Sequence, residues 1–408
     1  MATYDNYKDS GVKWLGKIPS HWEVCKMRKF FSERKELSQS GKETLLSVSE
    51  YKGITQSVNE DGENVSRSAS LIGYKKCQKN DLIINIMLAW KRGLGITTYD
   101  GIVSPAYCVF HTSSLNPQYA NYLLRTDLYI AEFKRNSSGI IDSRLRMYPD
   151  DFKNILCLTP PPVEQEAIVA YLDKAVGEID RAIETQQKMI DALNERKQII
   201  ISHAVTRGFN QEAPLRDSGI DWLGQIPAHW EVIPMRYLCR MRTGDKDTIM
   251  REDNGIYPFY VRSPHVERIN TFSYDGEAVL MAGDGVGAGK VFHYVNGKFD
   301  YHQRVYNFHD FKRVKGKYLY YYLLCNFRYK IEEGGAKSTV DSVRLPWLKA
   351  FPVCIPSEEE QSNIIKYLDV KTSIIDTAIE NCERLIALLT ERKQIIINEV
   401  VTGKKKVI

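Results

Sequence analysis

Two stretches of this 408-residue chain occur twice, and that duplication restricts the folds open to it. Asp9 to Val24, DSGVKWLGKIPSHWEV, returns as Asp217 to Val232, DSGIDWLGQIPAHWEV. A second pair runs without a gap from Gln165 to Thr206 and from Gln361 to Thr402. It includes Tyr171-Leu172-Asp173 against Tyr367-Leu368-Asp369, and both copies end in the run ERKQIII, from Glu195 to Ile201 and from Glu391 to Ile397. The segments between the repeats differ in sequence and in length. The order is therefore repeat, variable segment, repeat, taken twice, which calls for two like scaffolds carrying unlike inserts.

The second repeat reads as a long helix. Leu172, Ile179, Gln186, Leu193 and Ile200 fall seven apart, with Ile183 and Ile190 on the same stripe. Leu368, Ile375, Cys382, Leu389 and Ile396 repeat the pattern, flanked by Ile379 and Ile386. So narrow a stripe, sustained over several heptads, is a coiled-coil seam. Ser357 and Glu360 form a capping box, with Glu358 and Glu359 in an acidic first turn. The first copy starts through Pro160-Pro161-Pro162, and proline suits the first position of a helix. Some 35–40 residues at about 1.5 Å each give a rod of roughly 50–60 Å. Two such helices bury their seams most economically against each other, and antiparallel, since each leads away from a different insert.

The inserts read as mixed α/β. Residues 81–87 and 278–281 have the apolar character of strands; 119–133 and 317–329 read as helices rich in Tyr and Leu. The expected fold class is thus α+β, two globular mixed α/β domains separated by two long antiparallel coiled-coil helices in a pseudo-twofold internal repeat. The expected segments are 1–158, a first domain containing repeat 9–24; 159–208, the first spacer helix; 209–354, a second domain containing repeat 217–232; and 355–408, the second spacer helix.

Charge is distributed unevenly along the chain. From Val24 to Leu158 there are 19 Lys and Arg against 14 Asp and Glu, and from Val232 to Cys354 there are 19 against 13. The whole chain carries only +5, so the cationic excess sits in the two inserts and the repeats are net acidic. Two separate basic surfaces suit two contacts with a phosphate backbone. The eight cysteines are scattered without a CxxC pair, the pattern of reduced thiols rather than a zinc site or disulfide framework. No apolar run approaches the roughly 20 residues of a membrane span, and the N-terminus lacks a signal-peptide pattern, so a cytoplasmic protein is expected.

Several runs imitate catalytic motifs and miss a required residue. Gly283 to Lys290, GDGVGAGK, lacks the first glycine of a phosphate loop, where Asp284 stands, and its Ser or Thr, where Val291 stands. Thr159-Pro160-Pro161-Pro162 lacks both the acceptor and the aromatic residue of an amino-methyltransferase motif. Pro149-Asp150-Asp151-Phe152-Lys153 compresses a nuclease pattern whose carboxylates normally come from separate strands. The eight histidines form no HxxxH pair. Trp14, Trp22, Trp222 and Trp230 recur identically and are expected to pack the shared scaffold.

With these features the chain resembles the specificity subunit of type I restriction-modification systems over essentially its full length. The resemblance rests on the two DSGxxWLGxIPxHWEV segments, on Pro161-Pro162-Val163-Glu164-Gln165 at a helix start, and on the ERKQIII ends. Leu88-Ala89-Trp90-Lys91 followed by Gly101-Ile102-Val103-Ser104-Pro105-Ala106-Tyr107 adds to it, matching one common type of the family's recognition domain. One departure is Pro356-Ser357-Glu358-Glu359-Glu360-Gln361, with a single proline before the second helix.

The resemblance implies a non-catalytic protein that reads the two halves of a bipartite, asymmetric site in double-stranded DNA. It implies docking of two modification (methyltransferase) subunits and, through them, restriction (translocase-nuclease) subunits. S-adenosylmethionine, ATP and Mg²⁺ would then reside on those partners, with no cofactor or metal on this chain and no membrane. Half-sites about one helical turn apart, roughly 34 Å, suit two modules held by a strut. A stand-alone methyltransferase or nuclease and a purely structural adaptor are the rival classes.

Candidate readers are polar and basic residues in turn regions. They are Trp90, Lys91, Arg92, Ser143, Arg144 and Arg146 in the first insert, and Arg262, Ser263, Lys290, Gln303, Arg304, Lys337 and Ser338 in the second. Arg and Gln can make bidentate contacts to base edges, whereas Lys more often positions on phosphate.

Overall fold

The two heptad segments form helices of 46 and 44 residues, Pro162–Arg207 and Glu358–Val401. This computed structural model describes all residues except 1–2, 60–62, 67, 69, 142–143, 211, 334–341 and 408. The second long helix starts on the expected capping box. Ser357 N donates to Glu360 Oε2 at 3.1 Å, and Glu360 N donates to Ser357 Oγ at 3.2 Å. The first starts at Pro162, where the missing N–H costs nothing.

The chain forms two compact units, one of residues 1–186 with 384–408 and the other of residues 187–383. Each unit therefore holds the opening half of one long helix and the closing half of the other. Within the first unit, Ile168, Leu172 and Val176 share a core with Ile397, Val400 and Val401, while Asp180 pairs with Lys393 at 2.7 Å. Later positions on one helix meet earlier positions on the other, so the halves run antiparallel. Within the second unit, Ile201, Ala204 and Val205 share a core with Ile364 and Leu368, and Lys197 pairs with Asp376 at 2.6 Å.

Of the seam residues, Leu172, Ile179, Ile190, Leu368 and Ile375 are buried. Ile183, Leu193, Ile200, Ile379, Ile386, Leu389 and Ile396 are half-buried, as expected where two helices have no third layer to cover them. The stripe also takes in Val176 and Thr372, both buried, and the lysines of the two cross-helix pairs.

The first repeat supplies the other part of each scaffold. In the first unit, Tyr7–Asp9 pairs with Lys17–Pro19, and Glu23–Lys26 pairs antiparallel with Leu156–Thr159, Val24 opposite Leu158. In the second, Leu215–Asp217 pairs with Gln225–Pro227, and Glu231–Pro234 with Pro352–Ile355, Val232 opposite Cys354. Trp22 and Trp230 are fully buried against these strands, as expected. Their indole N–H groups donate to Glu164 and Glu360, the glutamates that open the long helices, at 3.0 and 3.4 Å. His21 and His229 hold the same carboxylates at 2.8 and 3.0 Å. Trp14 packs edge-on against Tyr129, and Trp222 stacks on Tyr329 and Phe351.

A buried tyrosine bolts each insert to this scaffold. Tyr119 Oη lies 3.1 Å from Leu158 O and 3.2 Å from Val401 O; Tyr318 Oη lies 2.9 Å from Cys354 O and 3.1 Å from Val205 O. Gln165 and Gln361 act alike. Each accepts from a backbone N–H of its insert, Asn116 and Lys315, and donates to Pro160 O and Pro356 O.

The inserts themselves differ. The first has a four-stranded antiparallel sheet ordered Phe31–Glu33, Tyr107–Thr112, Leu82–Asn85, Leu94–Ile96. The second has six strands in the order Arg240–Thr243, Val305–His309, Tyr274–Ala282, Phe292–Tyr301, Tyr257–Tyr260, Val266–Ile269, with one parallel contact between Tyr257–Tyr260 and Phe292–Tyr301. The expected helix over 119–133 is two helices, Pro117–Leu124 and Asp127–Arg135. Thr126 divides them by donating its hydroxyl to Leu123 O and accepting from Tyr129 N, which ends one helix and caps the next. The expected helix over 317–329 extends over Gly316–Glu333. No described helix is long and apolar enough to cross a membrane.

Candidate nucleic-acid interface

In the first unit, Trp90 and Lys91 lie on a single 3-10 turn, Ala89–Lys91, that ends at Arg92 in the left-handed region (φ 61°). Gly93 permits the turn, since a Cβ there would lie 2.7 Å from Leu88 O. The Trp90 indole donates to Met87 O at 3.0 Å, and the ammonium groups of Lys91 and Lys134 lie 4.9 and 5.3 Å from its ring. Stacked cations beside a half-exposed indole suit a nucleic-acid surface. Arg92 serves the fold instead, holding Arg125 O at 3.2 Å and the Asp127 carboxylate.

These three residues border a cleft of about 840 Å³ with Tyr51, Lys52, Gln118, Asn121 and Arg125. Arg125 ties the cleft wall together. Its guanidinium donates to Arg92 O at 3.1 Å, to Leu94 O, to Glu50 O at 2.8 Å and to Tyr51 O at 3.3 Å. Burial, and then the nearby Arg92 charge, push its pKa down.

Arg144 and Arg146 are exposed on a separate loop, tied at its base by reciprocal backbone bonds between Ser138 and Arg146 at 2.9 and 3.0 Å. Ile140 in this loop is fully exposed. Ser143 lies outside the described residues, as do Lys337 and Ser338 of the second insert.

In the second unit, Arg262 and Arg304 meet on Asp284 at 3.1 and 3.5 Å, and Gln303 donates to Asp247 at 3.1 Å. Asp284, Gln303 and Arg304 border a cleft of about 390 Å³ with Thr243, Gly244 and Tyr306. Ser263 is half-buried, its carbonyl 3.2 Å from His293 Nε2, while Lys290 is exposed. His302 accepts the Arg304 N–H on Nδ1 at 2.9 Å, and burial lowers its pKa, as does the Arg262 charge.

The glycine-rich run is a packed turn. Several of its amides are already used: Gly283 N donates to Arg304 O, Gly289 N to Ala282 O, and Lys290 N and Val291 N to Gly287 O, at 2.8–3.0 Å. A Cβ on Gly287 would lie 2.6 Å from Arg262 O, and one on Gly289 would lie 2.7 Å from the Ile331 side chain. A phosphate cradle needs free, convergent amides, and the amides next to Lys290 are spent on the turn itself. Val286 at the tip is 93 % exposed beside the arginines.

Asp150 of the nuclease-like run is held by Lys153 at 2.7 Å on the short helix Pro149–Asn154. Among the described residues no group of three His, Cys, Asp or Glu side chains is placed to hold a metal.

The sequence reading did not single out Tyr51, Lys52 and Arg125 in the first unit, or Arg236, Arg240, Arg242 and Lys349 in the second. The latter four border a groove of about 430 Å³ with Cys239, Met241 and His309. No local pattern marks them, because only folding brings residues 236–242 beside Lys349.

Fold and surface together give two like scaffolds, each presenting its own cationic, aromatic-bearing face. Residues 227–389 match the family described as type I restriction modification DNA specificity domain. The type I restriction enzyme EcoDI specificity subunit of Escherichia coli is 29% identical over 181 residues, 44% of this chain and 40% of that relative. Against that relative the match thus spans under half of its length. The type I restriction enzyme MjaVIII specificity subunit of Methanocaldococcus jannaschii is 24% identical over 98% of this chain and 97% of its own. A chain solved in work on complex assembly and conformational transition of the type I R-M system shares the fold. Its TM-score is 0.67 at 15% identity, covering 94% of this chain and 98% of that one. The chain is thus similar to specificity subunits of type I restriction-modification systems.

Proposed function

We propose that each insert reads one half of a bipartite, asymmetric DNA site, and that the protein does no chemistry itself. One observation carries the reading: the scaffold bonds recur residue for residue in the two units, while the cationic faces mounted on them share neither sheet nor contacts. Identical mounts with different faces are what two half-sites of different sequence require. In the first unit Trp90 and Lys91 supply the stacking and cationic face, with Arg144 and Arg146 on the adjacent loop. In the second, Arg262, Gln303 and Arg304 supply bidentate groups for base edges, and Lys290 a phosphate contact.

The repeated scaffold docks two modification subunits, because one partner used twice needs the same surface twice. Restriction subunits join through them. S-adenosylmethionine, ATP and Mg²⁺ belong to those partners, and the assembly works in the cytoplasm on chromosomal and incoming duplex DNA.

The test is an exchange of residues 24–158 for the corresponding insert of another such protein, read by sequencing methylated adenines in the host genome. One half of the methylated motif should change and the other half should stay. Loss of both halves, or no change in either, would overturn the reading. Methyl transfer or cleavage by the purified chain alone would overturn its non-catalytic part.

A further inference from the structure

We propose that the groove formed by Arg236, Arg240, Arg242 and Lys349 is a sequence-independent seat for the DNA phosphate backbone, present in the second unit and dismantled in the first. The proposal rests on the reading of the chain as a DNA-binding protein and adds where one strand's backbone lies.

Arg236 and Lys349 reach the groove from the two scaffold strands' flanks, the turn Met235–Tyr237 and the short helix Leu345–Ala350. Arg240 and Arg242 alternate along the edge strand Arg240–Thr243, which pairs with Val305–His309. Both point to one side, roughly 7 Å apart at about 3.4 Å per residue. The far end of the same strand, Thr243 with Gly244, borders the cleft of Gln303 and Arg304. A backbone held in the groove would therefore run toward the candidate base readers.

The charges are nearly uncompensated. Among the described residues only Arg240 of the four has a carboxylate partner, Asp310 at 3.4 Å. Arg236 lies 4.7 Å from the ring of Tyr237, which is 60 % exposed, and Arg242 lies 5.1 Å from the ring of Tyr274. Guanidinium groups preset on aromatic faces lose little freedom when a phosphate arrives.

The first unit shows the same positions disarmed. By the repeat alignment Arg28 corresponds to Arg236, Arg34 to Arg242 and Lys153 to Lys349. Arg34 is bound to the buried Asp81 at 2.7 Å, Lys153 to Asp150 at 2.7 Å and Arg28 to Asn154. The counterparts of Asp150 and Asp151 in the second unit are Pro346 and Trp347, and that of Asn154 is Ala350. A surface for a partner bound identically by both units would keep its charge in both, so an acidic face of a modification subunit fits this groove poorly. A duplex read differently on its two sides fits it well.

The experiment uses the full-length chain with its modification subunits and a fluorescent random-sequence duplex, titrated over a range of salt. Arg236→Gln, Arg242→Gln and Lys349→Gln together should weaken binding and lower the slope of log affinity against log salt by about 3, one per phosphate contact. The methylated motif should be unchanged. Arg28→Gln with Lys153→Gln should leave the slope where it was. Hydrogen exchange of the second unit at the wild-type level confirms that the triple variant is folded; if it is not, Lys349→Gln alone, on an exposed helix turn, should lower the slope by about 1.

An unchanged slope overturns the proposal. So does a changed motif, which would make the groove a base reader, or lost assembly with DNA binding intact, which would make it a protein surface. Failure of the wild-type complex to bind any duplex would instead sink the underlying functional reading, and the groove with it.

Discussion

The two units use one set of joints to hold different things. In both, a buried tryptophan and a histidine grip a glutamate in the first turn of a long helix, and a tyrosine hydroxyl reaches two backbone carbonyls. A lysine–aspartate rung crosses the helix pair in both. The sheets they carry have four and six strands, and Arg34 and Lys153 are paired with carboxylates in the first unit where the corresponding Arg242 and Lys349 of the second have no carboxylate partner among the described residues. Joints repeat because the mechanical task repeats; the faces share no such constraint and diverge.

The strongest way to break this equivalence is at the tryptophans. Trp22→Ala and Trp230→Ala should each cost about 3–5 kcal/mol, the usual loss for a large aromatic in a core. Hydrogen exchange should localise the loosening to the first unit for one variant and to the second for the other. Equal loosening of both units by either change would mean that the units do not stand as separate cores.

Smaller effects are expected at the tyrosines. Tyr119→Phe and Tyr318→Phe strip the donor from a buried pair of carbonyls, and each should cost about 1–3 kcal/mol. The two losses should match, and denaturant titration of the single variants checks it. A loss at one position only would show that the second joint carries no load.

Acid should separate the units. Burial lowers the pKa of His293, His302 and His309 below the ordinary 6.5, and all three lie in the second unit. The unfolded chain takes up these protons first, so the stabilisation is whole above about pH 6.5 and falls as pH drops toward the folded-state values. The first unit's histidines, His21 and His111, are about half exposed. Glu360 adds a later step. Burial raises its pKa, but bonds from His229, Ser357 and Trp230 outweigh that and leave it below 4.5, so its contribution is lost only as pH falls through that lower range. Proteolysis mapped between pH 7 and 5 should open the second unit before the first.

The least effect belongs to the rungs. Lys197→Met and Lys393→Met remove ion pairs whose aspartates are about half exposed, so each double-mutant cycle with Asp376→Asn or Asp180→Asn should give roughly 0.2–1 kcal/mol, shrinking with salt. A markedly larger coupling in one unit would break the symmetry where the sequence is most alike.

Much of this architecture was legible because repetition and period are local properties. The duplicated segments announced two scaffolds, the heptads from Leu172 and Leu368 announced the paired helices, and Ser357 with Glu360 marked one helix start to the residue. The recurrence of the tryptophans points to packing, and Trp22 and Trp230 are buried in the two scaffolds. The candidate interface was less legible. Arg92 sits in a turn like any reader, yet its guanidinium is committed to Arg125 O and Asp127, a contact between residues some thirty positions apart.

The sequence by itself determined that two like scaffolds carry unlike, cationic inserts on heptad helices, since pattern and composition need no partner to be read. Only the tertiary structure decided that each scaffold is assembled from the start of one helix and the end of the other, because burial chooses neighbours across hundreds of residues. It also decided which cations are free. Arg34 and Arg242 occupy corresponding positions, and what separates them is whether folding brings a carboxylate within reach.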